Sequence, residues 1–273
     1  MAPDASHYAN QPLLQRILQL IHLLLEVGYY CAGSSIRAVL PIWLLPQKSV
    51  KNEVVLITGA GSGIGRFMAV EFAKRGAKLV LWDNDEKANT ETKEMILKRT
   101  TEVYAYKVDL HSTKDIALVA SRVKTDVGDV DILVTLNSDI DPLISITKVF
   151  LPHMMKQNHG HLVFPSTADH KEIANCGLLH VLRDGIAAQG KFGVNVTTVS
   201  HYTIFDNADA FVTCLFPNLK SKYAVFRIME AVLTNTTEIH IPRFAYYFVL
   251  IASIFPARVI YAIKQYFGLK QGA

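Results

Sequence analysis

The sequence contains little cysteine and no concentrated positive charge. Its three cysteines, Cys31, Cys176 and Cys214, are odd in number and far apart along the chain. This spacing excludes a small disulfide-stapled scaffold and is typical of a reducing compartment. The net charge is only +4 at neutral pH, and no dense Lys/Arg cluster is present. Nucleic acid is therefore a poor candidate partner, and anionic lipid headgroups fit this charge balance better.

Charged residues are scarce as well, at 19% of a chain that is 50% hydrophobic. Much of the apolar excess lies near the N-terminus, where the run 17–36 carries Glu26 as its only formal charge. The run is long enough to cross a hydrocarbon core of ~30 Å. Because a buried Glu26 would be costly, an interfacial or hairpin anchor is an alternative, and a core helix is a third. Lys48 and Lys51 follow the run and favour a cytosolic position for the next domain.

The C-terminal end is also apolar, and segment 244–256 has no charged residue. It is too short to span a bilayer. Two interpretations stay open, a membrane-surface helix or a cap over an apolar substrate pocket. We therefore predict three parts: an anchor segment over 1–47, a folded domain over 48–242, and an apolar helical tail over 243–273.

Between these ends, strand-like and helix-like segments alternate regularly. This alternation predicts a Rossmann-like, doubly wound α/β domain with a parallel sheet covered by helices on both faces. The strands read as continuous apolar runs, as expected for strands buried on both faces. Strands are predicted over 53–58, 78–83, 102–108, 130–135, 161–164, 194–199 and 238–241. Helices are predicted over 63–75, 86–98, 112–127, 143–157, 177–189 and 222–234.

A glycine-rich loop, Thr58-Gly-Ala-Gly-Ser-Gly-Ile-Gly65, joins the first strand to the first helix. Glycines between a strand and a helix let backbone N–H groups approach a pyrophosphate at the helix N-terminus. The loop is therefore a candidate dinucleotide site. Its candidate cofactor-binding residues are Gly59, Gly61, Ser62, Gly63, Ile64 and Gly65.

Two carboxylates follow the next two strands. Asp83 ends the second predicted strand, where a carboxylate binds an adenosine ribose hydroxyl and repels a 2′-phosphate. This favours NAD(H) over NADP(H). Asp109 follows the third strand and is placed to reach the adenine edge. The alternative roles are structural, since either residue could instead cap the helix that follows it.

Together these residues resemble the short-chain dehydrogenase/reductase family. The glycine loop is followed by Leu-Val-Leu-Trp-Asp83 and later by Val-Asp109-Leu. Further motifs are similar to its membrane-bound branch, which holds epidermal retinol dehydrogenases and lipid-droplet 17-beta-hydroxysteroid dehydrogenases. These motifs are Phe-Leu-Pro-His-Met-Met155, Asn-His-Gly-His161 and Lys-Tyr-Ala-Val225. The resemblance implies NAD(H), a retinoid, steroid or other lipid substrate, and a site at the endoplasmic reticulum membrane or lipid-droplet surface, with the domain facing the cytosol.

The resemblance also assigns the catalytic positions, and here the sequence departs from the family. The family serine falls on Thr167, the tyrosine acid/base on His180, and the lysine on Asp184. Thr167 keeps a hydroxyl, and His180 can transfer protons near neutral pH. Asp184, however, carries a negative charge where the family lysine stabilises an anion. This constellation predicts impaired catalysis.

Other family segments have changed too. The strand end Asn-Asn-Ala-Gly reads Thr-Leu-Asn-Ser138, and the proline-containing segment near the nicotinamide reads Ser-His-Tyr-Thr203. The chain is also shorter than the family after Ser138 and after Gln189. These two regions carry helices of the family's dimer interface, so the family-type homodimer comes into question.

Thr167, His180 and Asp184 also suggest a hydrolytic relay of nucleophile, base and orienting carboxylate. No Gly-x-Ser-x-Gly nucleophile elbow supports this reading. A zinc site from His170, Cys176 and His180 matches no familiar ligand spacing, so we predict no metal.

Two hypotheses about function remain from the sequence. The first is a membrane-attached, NAD(H)-binding family member with a binding or regulatory role and impaired hydride transfer. The second is an active NAD-dependent oxidoreductase of a hydrophobic alcohol or ketone, such as retinol or a steroid, with an altered acid/base.

Overall fold

A computed structural model describes residues 21, 22, 25, 46–61, 63–98, 102–136, 139–167, 172–201 and 221–241. The chain divides into two compact units, Met1–Gln47 and Lys48–Ala273. In the first unit, Ile21, His22 and Leu25 are helical and exposed. Most of the predicted anchor and the whole predicted tail over 243–273 lie outside the described residues. In the part that is described, no helix is both long enough and apolar enough to cross a membrane.

The second unit alternates strands with helices along its described length. The strands are β1 (Val54–Thr58), β2 (Lys78–Asp83), β3 (Val103–Lys107), β4 (Ile132–Val134), β5 (Gly160–Thr167), β6 (Val194–His201) and β7 (Glu238–Ile241). The helices are α1 (Gly63–Lys74), α2 (Glu86–Leu97), α3 (Thr113–Asp126), α4 (Ile140–Gln157), α5 (Glu172–Ala188) and α6 (Ser221–Thr234). The predicted alternation is confirmed, and the boundaries lie within a few residues of the predicted ones except at the start of α5, which begins at Glu172 rather than at residue 177.

The seven strands form one parallel sheet in the order β3-β2-β1-β4-β5-β6-β7. The order reverses between β1 and β4, since the chain moves outward to β3 and then returns to the other side of β1. In open α/β sheets, ligands bind at the carboxyl ends of the strands beside such a switch point. The topology alone therefore predicts a binding site at this edge of the sheet.

Helices cover both faces of this sheet. One apolar cluster joins Val55 and Ile57 of β1 to buried side chains of α1, α2 and α6, including Phe72 and Ile228. The other joins Val54 and Leu56 of β1 to α3, α4 and α5. Neighbouring β1 residues thus enter opposite clusters, as the alternation of side chains along a strand requires. The Rossmann-like, doubly wound fold expected from the sequence is present.

β5 extends further than its apolar run indicates. The strand was predicted to end at Phe164, but pairing with β6 continues in register from Gly160 opposite Val194 to Thr167 opposite His201. Hydrogen bonding between the two strands, rather than local hydrophobicity, sets this boundary. As a result, Thr167 and His201 are terminal strand residues instead of loop residues.

Candidate functional site

A pocket of about 460 Å³ opens at the carboxyl ends of the central strands. Its position coincides with the switch point between β1 and β4. Residues of the glycine loop, of the ends of β2 and β3, and of α6 line it. These residues are Gly59, Ile64, Gly65, Asp83, Asn84, Asp109, Leu110, His111, Thr135, Leu136, Val163, Val199, Ala224, Ile228 and Ile241.

Two glycines of the loop are required by its geometry. Gly59 has a φ of +67°, a left-handed conformation that a side chain disfavours. A Cβ on Gly65 would lie 2.1 Å from the carbonyl oxygen of Gly59, far inside contact distance. α1 can therefore start directly beside the loop, which leaves its N-terminal N–H groups close to the pocket. Gly61 and Gly63 belong to the same loop without lining the pocket, and Ser62 lies outside the described residues.

Asp83 is held in place by two backbone N–H groups. Its Oδ2 accepts a hydrogen bond from Gly61 N at 2.8 Å, and its Oδ1 accepts one from Asp85 N at 2.9 Å. It does not cap α2, because Asp85 is the capping residue and accepts from Ala88 N. A carboxylate has about four acceptor positions, so both oxygens of Asp83 keep capacity for a ligand.

Asp109 is exposed at the same edge of the pocket. Its Oδ1 accepts a hydrogen bond from His111 N at 3.0 Å, and its own N–H donates to Oδ2 of Asp115 at 2.7 Å. Ser112 rather than Asp109 caps α3. The two predicted carboxylates, Asp83 and Asp109, therefore come together at the polar end of the pocket.

Sequence reasoning missed the clamp that holds the glycine loop. Nε of Arg66 donates to Oγ1 of Thr92 at 3.0 Å, and its NH2 group donates to the carbonyl oxygen of Gly61 at 2.7 Å. The buried Thr92 hydroxyl also lies 3.0 Å from the carbonyl oxygen of Ala60. α1 and α2 are thereby tied to the loop backbone. No motif indicates this contact, which only the tertiary fold creates.

The other end of the pocket is apolar, and Leu136 contributes to it. The backbone N–H of Leu136 donates to Oγ1 of Thr58 at 3.2 Å. The Cβ of Leu136 lies 3.8 Å from the position that a Cβ on Gly59 would occupy. With Val163, Val199 and Ile241 on the same wall, the pocket joins a charged end to an apolar end.

The three catalytic candidates are differently placed. Thr167 ends β5, whereas His180 and Asp184 lie exposed on α5. His180 Nδ1 accepts a hydrogen bond from Arg183 at 2.7 Å. α5 packs through Leu179 and Ile186 into the cluster on the sheet face opposite Val163. Neither His180 nor Asp184 is among the described residues that line the pocket.

The described residues contain no group of three or more His, Cys, Asp or Glu side chains able to hold a metal ion. Of the set weighed as a zinc site, His170 lies outside the described residues, and His180 is exposed on α5. The hydrolytic alternative requires Thr167, His180 and Asp184 to act together. The described hydrogen bond of the His180 imidazole goes to Arg183, which is not a member of that set, so it does not support a hydrolytic relay.

A second polar cluster lies away from the pocket, toward the amino ends of the strands. Nζ of Lys48 lies 2.8 Å from Nδ1 of the fully buried His161, and Nε2 of His161 lies 2.7 Å from Oγ1 of Thr197. Thr197 then donates to the carbonyl oxygen of Thr236 at 2.6 Å. Because an ammonium group can only donate, Nδ1 of His161 accepts and Nε2 carries the proton. The cluster joins residue 48 to β5, β6 and the loop before β7.

Burial controls the protonation of this cluster. It lowers the pKa of His161 well below 6.5, and the neighbouring Lys48 ammonium lowers it further. Burial also lowers the pKa of Lys48, although Glu53 and Asp131 oppose this effect. The pKa of Glu53 is raised, chiefly by its burial. A neutral His161 is therefore part of the folded protein.

A doubly wound parallel sheet, with a glycine loop and a strand-end carboxylate at its switch point, defines a dinucleotide-binding type of α/β protein. The short chain dehydrogenase family model matches residues 53–138, which include the whole glycine loop, Asp83 and Asp109. That match runs from just before β1 to just after β4.

Curated relatives extend the similarity over most of the chain. Epidermal retinol dehydrogenase 2 of Mus musculus is 33% identical over 281 aligned residues, covering 87% of this chain and 91% of the relative. Estradiol 17-beta-dehydrogenase 11 of Rattus norvegicus is 33% identical over 294 residues, covering 94% and 97%. The chain belongs to the short-chain dehydrogenase/reductase family, in the branch of these retinol and estradiol dehydrogenases.

Solved structures agree on the fold. A short-chain dehydrogenase/reductase from Burkholderia phymatum in complex with NAD has a TM-score of 0.64 at 17% identity, covering 83% of this chain and 98% of that chain. A hydroxysteroid dehydrogenase from Escherichia coli has a TM-score of 0.57 at 17% identity, covering 71% and 96%. At this identity the likeness concerns the fold alone.

Proposed function

We propose that the protein binds a nicotinamide dinucleotide in this pocket, with NAD(H) preferred over NADP(H). The observation that carries the proposal is the Asp83 carboxylate, which lines the pocket and is oriented by the N–H of Gly61. A ribose with free hydroxyls can donate to this carboxylate, whereas a 2′-phosphate would be repelled by it. The close approach of Gly65 to the Gly59 carbonyl oxygen starts α1 directly beside the loop, and a phosphate group at that helix N-terminus fits this arrangement.

We further propose that hydride transfer by the family mechanism is impaired, so that the protein has a binding or regulatory role. The nicotinamide ring supplies hydride exchange when it is bound. The chain must supply the proton, and His180 and Asp184 stand at the tyrosine and lysine positions of the resemblance. Loss of a positioned acid/base costs about 10²–10⁴-fold in rate.

A second candidate function is an NAD-dependent oxidoreductase of a hydrophobic alcohol or ketone. The apolar wall of Leu136, Val163 and Ile241 favours it, because a retinoid or steroid needs an apolar surface next to the cofactor. The named activities of the retinol and estradiol dehydrogenase relatives suggest the same substrate class.

Location is part of the proposal. We assign the protein to the endoplasmic reticulum membrane or the lipid-droplet surface, attached through segment 1–47 with the domain facing the cytosol. Protease treatment of intact microsomes tests this topology. The proposal requires cleavage of the domain without detergent, and full protection would contradict it. Crosslinking of the membrane-bound protein tests whether a homodimer forms.

Thermal unfolding with added cofactor tests the binding function. A ligand that binds only the folded state stabilises it by about 2.7 kcal/mol at one hundred times its Kd. We expect NADH to raise the melting temperature in a concentration-dependent way, and NADPH to do so only at higher concentration. An unchanged melting temperature with both cofactors would remove the proposed binding function.

A further inference from the structure

Two apolar segments of the chain join the folded domain on the same side. Segment 1–47 joins it at Lys48, whose backbone N–H donates to the carbonyl oxygen of Leu233 at 2.8 Å, in the last turn of α6. The tail 243–273 follows shortly after Ile241, where β7 ends. β7 stands at the end of the strand order, and α6 packs against it. Both apolar segments are thus attached to the side of the domain that α6 and β7 form.

The two attachment points lie toward opposite ends of the strands. Lys48 is near the amino ends, beside the buried cluster of His161. Ile241 is at the carboxyl ends, where it lines the pocket. The 14 residues of α6 extend about 21 Å between these two edges of the sheet. A lipid surface held by both segments would therefore lie along the length of α6 rather than against one end of the sheet.

α6 has an exposed outer face with two aromatic side chains and a cation. Phe226 is 62% exposed, Tyr223 is 39% exposed, and Lys222 is exposed beside them. These three residues are neighbours on the helix surface because they are three or four positions apart from residue 226. On the other side of the helix, Ala224 and Ile228 are buried and line the pocket. α6 therefore lies between the pocket and its own outer face.

This combination of side chains suits the interface between water and lipid. Aromatic rings favour the headgroup region, and a lysine can extend its ammonium group toward lipid phosphates. α1 packs beside α6 and adds Phe67, which is 37% exposed. On the other face of the sheet, the exposed apolar side chains include Leu118 of α3 and Val181 of α5, which are aliphatic. The aromatic chemistry is thus on the face of the sheet that α6 covers.

We propose that the outer face of α6, formed by Lys222, Tyr223 and Phe226, docks on a phospholipid surface that carries anionic headgroups. The inference rests on the proposed membrane attachment, and it adds which side of the domain meets the lipid. The domain then lies with its strands along the surface. Because the inner face of α6 lines the pocket, the pocket lies one helix away from the lipid.

Photocrosslinking in the full-length protein identifies what contacts this face. Phe226 is replaced by p-benzoylphenylalanine, a larger aromatic residue that an exposed position accommodates. The protein is reconstituted into vesicles of phosphatidylcholine and phosphatidylserine and irradiated, and mass spectrometry identifies the adducts. We expect lipid adducts at position 226. The same replacement at Leu118, which is 52% exposed on α3, is the matched control and should give none. An unchanged melting temperature shows that each variant is folded.

A charge reversal tests the contribution of the headgroups. In the protein with the crosslinker at position 226, we expect Lys222→Glu to lower the yield of lipid adducts in vesicles that contain phosphatidylserine. In vesicles of phosphatidylcholine alone, the same substitution should leave the yield unchanged, because no net negative surface charge is present. An equal yield with and without the substitution in the anionic vesicles would overturn the role of Lys222.

Flotation of the vesicles separates this inference from the proposed attachment. If the unmodified protein does not float with the vesicles, the attachment through segment 1–47 fails, and the docking proposal fails with it. If the protein floats but position 226 gives no more lipid adduct than position 118, only the docking face is wrong. Crosslinks from position 226 to the tail 243–273 or to a second copy of the chain, in place of lipid, would also overturn the proposal.

Discussion

The backbone N–H of Gly61 donates a 2.8 Å hydrogen bond to Oδ2 of Asp83, across two different strand–helix units. The bond fixes the carboxylate relative to the glycine loop before any ligand binds. A Cβ on Gly61 would lie 3.0 Å from that same oxygen, so the absence of a side chain there permits the contact. The backbone of the glycine loop thus sets the orientation of the Asp83 carboxylate.

The first prediction concerns cofactor choice. Replacing Asp83 by Asn removes the negative charge but keeps an oxygen that can accept from Gly61. We expect the ratio of NADH to NADPH affinity to fall at least about tenfold, or about 1.4 kcal/mol. Thermal shift titrations of both cofactors measure it. Glu94→Gln removes an exposed carboxylate on α2 and should leave the ratio unchanged. An unaltered ratio in Asp83→Asn would show that this carboxylate does not discriminate.

The second prediction concerns the close approach of α1 to the loop. Gly65→Ala would place a Cβ 2.1 Å from the Gly59 carbonyl oxygen, so the backbone must move. We expect a loss of stability above about 2 kcal/mol together with a weaker NADH response. Denaturant unfolding provides the measurement.

Gly185→Ala is the matched control for this glycine. A Cβ at position 185 of α5 meets no atom within 4 Å. Because Ala favours a helix over Gly, we expect a gain of up to about 1 kcal/mol. Equal effects of the two substitutions would contradict the steric argument.

The third prediction concerns the clamp of Arg66 and Thr92. Thr92→Val keeps the side-chain shape but removes the partner of Arg66 Nε and of the Ala60 carbonyl. Leaving such groups unpaired costs about 1–3 kcal/mol. Thr90→Val, at an exposed position of the same helix, should change the free energy of unfolding by less than about 0.5 kcal/mol. Chemical denaturation of both variants compares the two positions, and matching values would argue against the clamp.

The fourth prediction concerns pH and His161. Because the folded state lowers its pKa, the unfolded chain takes up the proton first as the pH falls below 6.5. His161 therefore makes the folded protein lose stability on acidification. The stability advantage of the original protein over His161→Gln should shrink with falling pH, by at most about 1.4 kcal/mol per pH unit.

The opposite titration of Glu53 is present in both proteins and so largely cancels in this difference. Urea unfolding between pH 7.5 and 5.5 measures the difference at each pH. Two stability curves that run parallel over this range would mean that His161 does not titrate as proposed.

The local sequence pattern was sufficient to predict most helices and strands. Strands buried on both faces and the helices that flank them each have a distinct pattern of hydrophobic residues. The start of α1 followed from the glycine loop, and the Asp83 carboxylate followed from its position at the end of the second predicted strand. The sequence pattern failed where hydrogen bonding between neighbouring strands sets the end of a strand. Nothing local to Pro165 indicates that β5 continues to Thr167, and nothing local to His201 indicates that it pairs with Thr167.

Contacts between side chains that lie far apart in the sequence could likewise not be predicted from the sequence. Arg66 and Thr92 belong to different helices, and their relation to the loop depends on how α1 and α2 pack. Lys48 and His161 are further apart in the sequence, and the position of β5 in the sheet brings them together. Such pairs require the three-dimensional fold, since neither partner has a recognisable motif.

The hydrogen-bonded series Lys48–His161–Thr197 also determines where a pulling force would enter the domain. Lys48 is fixed twice, through its side chain to His161 and through its backbone N–H to the Leu233 carbonyl at 2.8 Å. A pulling force on the preceding segment would therefore be borne first by β5, β6 and α6 near the amino edge of the sheet. The pocket lies toward the other end of the strands, and the same three elements also line it, through Val163, Val199 and Ile228. A load applied at this position would therefore enter the domain at the edge of the sheet opposite the glycine loop.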